Sequence, residues 1–181
     1  MSCGMSLAKL ERAWFGLQFF DELILIYPTY AIMMQEQGIS AVELSLLFVI
    51  WSGSSLLFEV PSGVVGDLME RKTVVAVGSI IKAVAFLSWL TIPSFWGFAL
   101  GFTLWSFGGA LRSGTSESLI HDGLAQLGES ERFEAVYGRI EAAEGVGVVI
   151  AVGLGGLAAE GGYTLPLVLS GVAPLIAAAI T

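Results

Sequence analysis

The sequence has little of the chemistry on which soluble enzymes depend. Its one cysteine, Cys3, excludes an internal disulfide and a cysteine-based metal site. Its one histidine, His121, excludes a histidine cluster. No pairing of a nucleophile with a base and no phosphate-binding loop can be recognised in it. We therefore expect no catalytic residue, no metal site and no cofactor, and we expect that the protein is not an enzyme.

Charge is also scarce. Charged residues make up 13% of the 181 residues, and the eight basic ones are not clustered, which argues against a nucleic-acid partner. Hydrophobic residues make up 55% of the chain, and the mean hydropathy is +0.81. This composition is too apolar for a soluble domain and is typical of a helical membrane protein. The lipid bilayer is therefore the first partner that we expect.

Long apolar runs predict an all-α membrane protein, a bundle of six transmembrane helices. Each run is close to the length of about 20 residues that crosses a hydrocarbon core about 30 Å thick. Ser40 and Glu43 form a capping box before the second run. The predicted spans cover about residues 14–34, 41–66, 73–92, 95–120, 133–159 and 163–181.

The basic residues indicate how these spans are oriented. They lie in or beside alternate loops, at Lys9, Arg12, Arg71, Lys72 and Arg132. The loops on the other side carry acids and contain no Lys or Arg. Because short cytoplasmic loops are enriched in basic residues, we expect both termini to be cytoplasmic.

The loop between the second and third predicted spans has a distinctive pattern. It reads Gly63-x-x-x-Asp67-x-x-x-Arg71-Lys72 and follows Pro61-Ser62. It resembles the signature loop of major facilitator superfamily transporters. Leu68 and Glu70 depart from that signature, which usually has a basic residue and a glycine at these positions. Taken without the resemblance, the same stretch can be read as an ordinary solvated loop.

The resemblance implies an architecture and a function. Transporters of this family have two six-helix halves with the substrate site between them. The chain, residues 1–181, is thus expected to be an N-terminal half whose partner is a C-terminal six-helix half. A homodimer of half-size transporters is the alternative. The expected function is proton-coupled secondary transport of a small solute by alternating access, with efflux as one direction, across a prokaryotic plasma membrane. A non-transporting six-helix scaffold or receptor-like subunit is the alternative function.

Seven ionisable residues fall at similar depth inside five of the predicted spans. They are Asp21, Glu22, Glu59, Lys82, Arg112, Glu141 and Glu144. Because a charge in lipid is costly, we expect these side chains to face the bundle interior or water and to pair with one another. Five acids against two bases leave the belt acidic, so some acids should be protonated or matched by an external cation. Alternatively, several of them form purely structural pairs.

The candidates for binding substrate or protons come from this belt. They are Asp21, Arg112, Glu59, Glu141 and Glu144. The family's first and fourth helices line its transport cavity. The resemblance therefore favours Asp21 and Arg112, which we expect to lie within reach of a direct or a water-bridged pair.

The candidates for a cytoplasmic gate come from the signature loop and the foot of the fourth span. They are Gly63, Asp67, Arg71, Lys72 and Asp122. The resemblance implies that Arg71 pairs with Asp122 and that Asp67 contacts the other half. These contacts would close the cytoplasmic side.

The fifth predicted span has a ladder of small side chains along one face. Ala143, Gly147, Ala151, Gly155 and Ala159 recur every fourth residue. Small residues allow membrane helices to approach closely. The ladder therefore predicts a tight helix contact, either static or able to slide.

If the chain is half of a transporter, the native reading frame should continue past Thr181 with a polar loop and six more spans. Sequencing the genomic locus tests this expectation. A stop codon directly after Thr181 would count against it.

Overall fold

The computed structural model describes residues 7–181, apart from the side chain of Asp67; Cys3 lies outside the described residues. Seven α-helices account for the regular structure in this range, together with a one-turn 3-10 helix, Ser130–Arg132. They are α1 (Leu7–Asp21), α2 (Tyr30–Glu36), α3 (Ala41–Leu68), α4 (Arg71–Thr91), α5 (Phe95–Gln126), α6 (Phe133–Ala159) and α7 (Thr164–Ile180). The predicted all-α fold is confirmed for the described part of the chain.

The prediction of one continuous helix over residues 14–34 is wrong. The chain leaves the helix after Asp21 and resumes it at Tyr30, so that α1 and α2 flank a non-helical segment, residues 22–29. Pro28 is the local cause, because proline lacks an N–H and disfavours helical geometry in the residue before it. The Ser170 hydroxyl on α7 partly compensates by accepting a hydrogen bond from the backbone N–H of Ile26, at 3.0 Å.

The remaining helices follow the predicted runs closely. Ser40 and Glu43 form the predicted capping box at the start of α3. Among the described residues, three helical segments are long and apolar enough to cross a membrane: Ala41–Gly66, Arg71–Thr91 and Ser130–Ala159. Helix α7 is apolar but shorter.

Two apolar clusters occupy opposite ends of the bundle. One cluster contains Phe86 and Trp89 of α4 with Phe98 and Phe102 of α5. The other contains Leu10 and Trp14 of α1 with Ile120, Leu124, Val136 and Ile140. Along α4 and α5, Lys82 and Arg112 lie between the two clusters. The apolar ends thus enclose a polar layer at the middle of the bundle.

Glycines bring α4 and α5 together at this layer. A Cβ added to Gly108 would lie 2.5 Å from the carbonyl oxygen of Gly78, and one added to Gly78 would lie 2.8 Å from that of Gly108. The two backbones therefore touch, as small residues allow in membrane helices. A Cβ on Gly108 would also lie 3.2 Å from the backbone nitrogen of Lys82, and one on Gly78 would lie 2.7 Å from the Arg112 side chain, so the two cations flank this crossing.

The predicted ladder of small residues on α6 packs against α1 and the segment that follows it. A Cβ on Gly147 would lie 2.6 Å from the carbonyl oxygen of Phe19, and one on Gly155 would lie 2.0 Å from that of Leu25. Ala151, between them, is fully buried. The ladder therefore holds the backbone around the helix break.

We expect Gly155→Ala to destabilise the bundle by about 1–3 kcal/mol, as overpacking of a tight contact does. The added methyl would force α6 away from the carbonyl of Leu25. Gly156→Ala is the matched control, because its Cβ would meet nothing within 4 Å. Thermal unfolding of the purified variants measures the difference. Equal stability of the two variants would contradict the close contact.

Candidate functional site

Asp21 is the centre of the polar layer. It is the last residue of α1, and its side chain is fully buried. One carboxylate oxygen accepts a hydrogen bond from the Ser79 hydroxyl at 2.8 Å. The other forms ion pairs with Lys82, at 2.8 Å, and with Arg112. The predicted pairing of Asp21 with Arg112 is present, and Lys82 adds a second cation to the same carboxylate.

Glu22 gives Lys82 a second acid. The Lys82 ammonium also pairs with the Glu22 carboxylate, which accepts a hydrogen bond from the Tyr27 hydroxyl at 2.6 Å. Both Glu22 and Tyr27 belong to the segment between α1 and α2. The break in the first span therefore turns a second carboxylate toward Lys82.

Gln18 links this ion-pair group to α6. Its side-chain oxygen accepts a hydrogen bond from the guanidinium of Arg112. Its amide nitrogen donates to the Glu144 carboxylate at 3.0 Å. A chain of polar contacts thus runs from Asp21 through Arg112 and Gln18 to Glu144.

A cavity of about 290 Å³ opens beside these residues. Helix α6 lines it with Tyr137, Glu141 and Glu144, and α5 lines it with Trp105, Gly109, Arg112, Ser113, Ser116 and Ile120. Gln18, Glu22 and Lys82 complete the described lining, which does not include Asp21. Asp21 therefore lies outside the cavity lining and contacts it through its ion pairs with Lys82 and Arg112.

The cavity wall contains polar atoms of two kinds. Among the described residues, the Arg112 Nε and the Ser116 hydroxyl have no hydrogen-bond partner, although both side chains are more than nine-tenths buried. Within the described part of the chain, neither Glu141 nor Glu144 belongs to an ion pair. The residues that line the cavity therefore include two with an unsatisfied donor on α5 and two with a carboxylate on α6.

Of the seven residues in the predicted belt, only Glu59 lies away from this group. Its exposed side chain lines another cavity, of about 330 Å³, together with Gly63 and Arg71. Residue spacing predicts the depth of Glu59 along its helix, but it does not tell which way α3 faces. Within the described part of the chain, the expected ion pairing is present for Asp21, Glu22, Lys82 and Arg112, and it is absent for Glu59, Glu141 and Glu144.

The predicted ion pair between Arg71 and Asp122 is also present. Arg71, the first residue of α4, pairs with Asp122 near the end of α5 and is also 3.5 Å from the Ser118 carbonyl oxygen. The two side chains remain 35% and 51% exposed, so water weakens their attraction. Lys72 and Asp122 line one more cavity, of about 540 Å³. The side chain of Asp67 lies outside the described residues.

Residue-pattern reasoning missed several members of the site. Gln18 lies one turn before Glu22, and Ser79 lies three residues before Lys82 on α4, so helical spacing could have suggested both. Pro28 could have indicated the break that frees Glu22 and Tyr27 from helical geometry. Ser116 lies one turn after Arg112 on α5, so the same spacing could have suggested it as well.

The fold and the site define a class of protein. In the described residues, a helical fold with segments of membrane length and a buried layer of charges is typical of an integral membrane protein. The family comparison identifies the group. The Major Facilitator Superfamily matches residues 15–181, and the chain belongs to this superfamily of membrane transporters. The comparison with curated proteins returns no match.

We expect Asp21→Asn to cost about 3–5 kcal/mol of stability, because it leaves buried cations without their shared acid. The double variant Asp21→Asn/Arg112→Gln should recover much of this loss, since Lys82 keeps its pair with Glu22. Membrane abundance and thermal unfolding of the purified variants measure the effect.

Glu141→Gln is the control, because Glu141 lines the cavity without an ion pair in the described part of the chain. If Asp21→Asn were as stable as Glu141→Gln, the structural role of Asp21 would be disproved.

Proposed function

We propose that this chain is the N-terminal six-helix bundle of a secondary transporter that moves a small solute by alternating access. The observation that carries the proposal is the cavity bordered by Arg112, Glu141 and Glu144 in a chain of this superfamily. Proton coupling fits Glu141 and Glu144, because they are acids at cavity depth without an ion pair in the described part of the chain. Efflux is the direction that we propose.

In this proposal, the first of six spans consists of α1, the break and α2, and the other spans are α3 to α7. Both termini lie in the cytoplasm of a prokaryotic cell, and the protein spans its plasma membrane several times. The positions of the basic residues support this orientation. Lys9 of α1 and Lys72 of α4 line the same cavity at one end of the bundle, where cytoplasmic charges belong.

The proposed partner of this bundle is a second six-helix half. Helices α3 and α6 support this proposal, because each has a long apolar face that the described chain leaves uncovered. Leu56, Leu57, Val60 and Val64 are exposed on α3, and Val146, Val149 and Leu157 are exposed on α6. Lipid covers whatever part of these faces the other half does not.

The proposed roles of the candidate residues follow their surroundings. Arg112, Glu141 and Glu144 border the cavity and are proposed to meet the solute or the proton. Asp21 holds Arg112 and Lys82 in position. Glu59, in the separate cavity beside Arg71, is proposed as a proton or solute group on the cytoplasmic route.

Gly63, Asp67, Arg71, Lys72 and Asp122 are proposed to form the cytoplasmic gate. The ion pair between Arg71 and Asp122 is its described part. An exposed pair of this kind contributes about 1 kcal/mol or less. A change of that size shifts an equilibrium between inward-open and outward-open states several-fold, since about 1.4 kcal/mol is tenfold.

A solute screen tests the proposed function. Membrane vesicles that contain the full-length protein should accumulate or release a solute against its gradient, and vesicles without the protein should not. For that solute, Arg71→Asp and Asp122→Arg should each change the transport rate several-fold, and the double reversal should restore it.

Arg132→Asp is the matched control, because Arg132 forms an exposed ion pair with Glu129 at 3.6 Å that has no proposed role in gating. A screen in which no solute responds to the protein would favour the non-transporting scaffold. If the Arg71 and Asp122 variants transport the solute at the unchanged rate, the proposed gate is wrong, but the proposed transport function is not contradicted.

A further inference from the structure

The cavity beside Arg112 has two chemically different sides. On α5, Arg112 and Ser116 are one turn apart and thus share a face of the helix. Both are buried, and the Arg112 Nε and the Ser116 hydroxyl have no partner among the described residues. A buried donor without an acceptor is costly, so these two atoms favour a ligand that brings an acceptor.

The α6 side of the cavity carries carboxylate acceptors. Glu141 and Glu144 are three residues apart on one face of the helix, and both line the cavity. Glu144 accepts one hydrogen bond, from Gln18, and is only half-buried. In contrast, the cations of the cavity are engaged elsewhere: Lys82 pairs with Asp21 and Glu22, and Arg112 pairs with Asp21. The acids of α6 therefore favour a ligand that brings a positive charge.

The volume and the aromatic lining of the cavity further restrict the kind of ligand that it can bind. A volume of about 290 Å³ lies just below the range of cavities that hold drug-sized ligands, about 300–1,000 Å³. Trp105 and Tyr137 also line the cavity. Aromatic faces attract an ammonium group and pack against short carbon chains.

We propose that this site binds a small zwitterion, an amine that also carries a carboxylate. Its ammonium group lies at Glu141 and Glu144, and its carboxylate accepts hydrogen bonds from the Arg112 Nε and the Ser116 hydroxyl. A simple amine leaves the two donors on α5 without an acceptor. A simple carboxylate meets the acids of α6. This inference rests on the proposed function and specifies its solute.

The test is binding to the purified full-length protein in lipid nanodiscs, measured by calorimetry. The probes are glycine, 4-aminobutanoate and 6-aminohexanoate, compared with butylamine and butanoate. At least one amino carboxylate should bind about tenfold or more tightly than butylamine and butanoate, because each end adds a charge-assisted hydrogen bond.

Two variants test which residues bind the ammonium end of the ligand and which bind its carboxylate end. Glu144→Gln should weaken both the amino carboxylate and butylamine, because both present an ammonium group. Ser116→Ala should weaken the amino carboxylate several-fold and leave butylamine unchanged, because only the amino carboxylate presents an acceptor. Glu134→Gln, on the exposed start of α6, and Ser45→Ala, on the exposed face of α3, are matched controls that should bind as the unchanged protein does.

The proposal is overturned if butylamine binds as tightly as the best amino carboxylate, or if none of the probes binds. It is also overturned if Ser116→Ala weakens butylamine and the amino carboxylate equally. Transport of a solute with a single charged end would refute the proposal that the solute is a zwitterion, but it would still support the proposed transport function. Binding of the amino carboxylate without its transport would support the zwitterion site and contradict the proposed transport function.

Discussion

The structure depends on one buried carboxylate. Asp21 holds both Lys82 and Arg112, so three helices meet at a single acid in the middle of the bundle. Each of these charges would be costly in lipid if it were alone. Among the described residues, removing Asp21 would leave Arg112 without an acid partner, whereas Lys82 would keep its pair with Glu22. The positions of α1, α4 and α5 are therefore linked by electrostatics as well as by packing.

This arrangement requires that the backbones come unusually close. Gly78 and Gly108 let α4 and α5 touch, and Gly147 and Gly155 let α6 approach the backbone of α1 and of the segment after it. Side chains of ordinary size at these positions would separate the helices and lengthen the ion pairs. Glycine is thus needed here for its lack of volume, because in lipid the helices associate through close packing.

The same network gives the cavity its chemical character. The cations that border it are already paired with Asp21 and Glu22, whereas the acids of α6 that line it form no ion pair in the described part of the chain. Gln18 connects the two groups through its contacts with Arg112 and Glu144. A change in the charge of Glu144 would therefore reach Arg112 through one side chain. Such a connection is what a transporter needs if solute binding is to affect helix packing.

The residues by themselves determined the class of the protein and much of its outline. Apolar runs predicted the helices, and the pattern from Gly63 to Lys72 indicated the superfamily. The pair of Asp21 with Arg112 was predictable from their similar depth along the helices together with the family resemblance, and the pair of Arg71 with Asp122 from the resemblance alone. Only the tertiary structure decided which way each helix faces. It placed Glu59 apart from the other charges and brought Gln18 between Arg112 and Glu144. Helix rotation depends on contacts between residues far apart in the chain, and no local pattern encodes them.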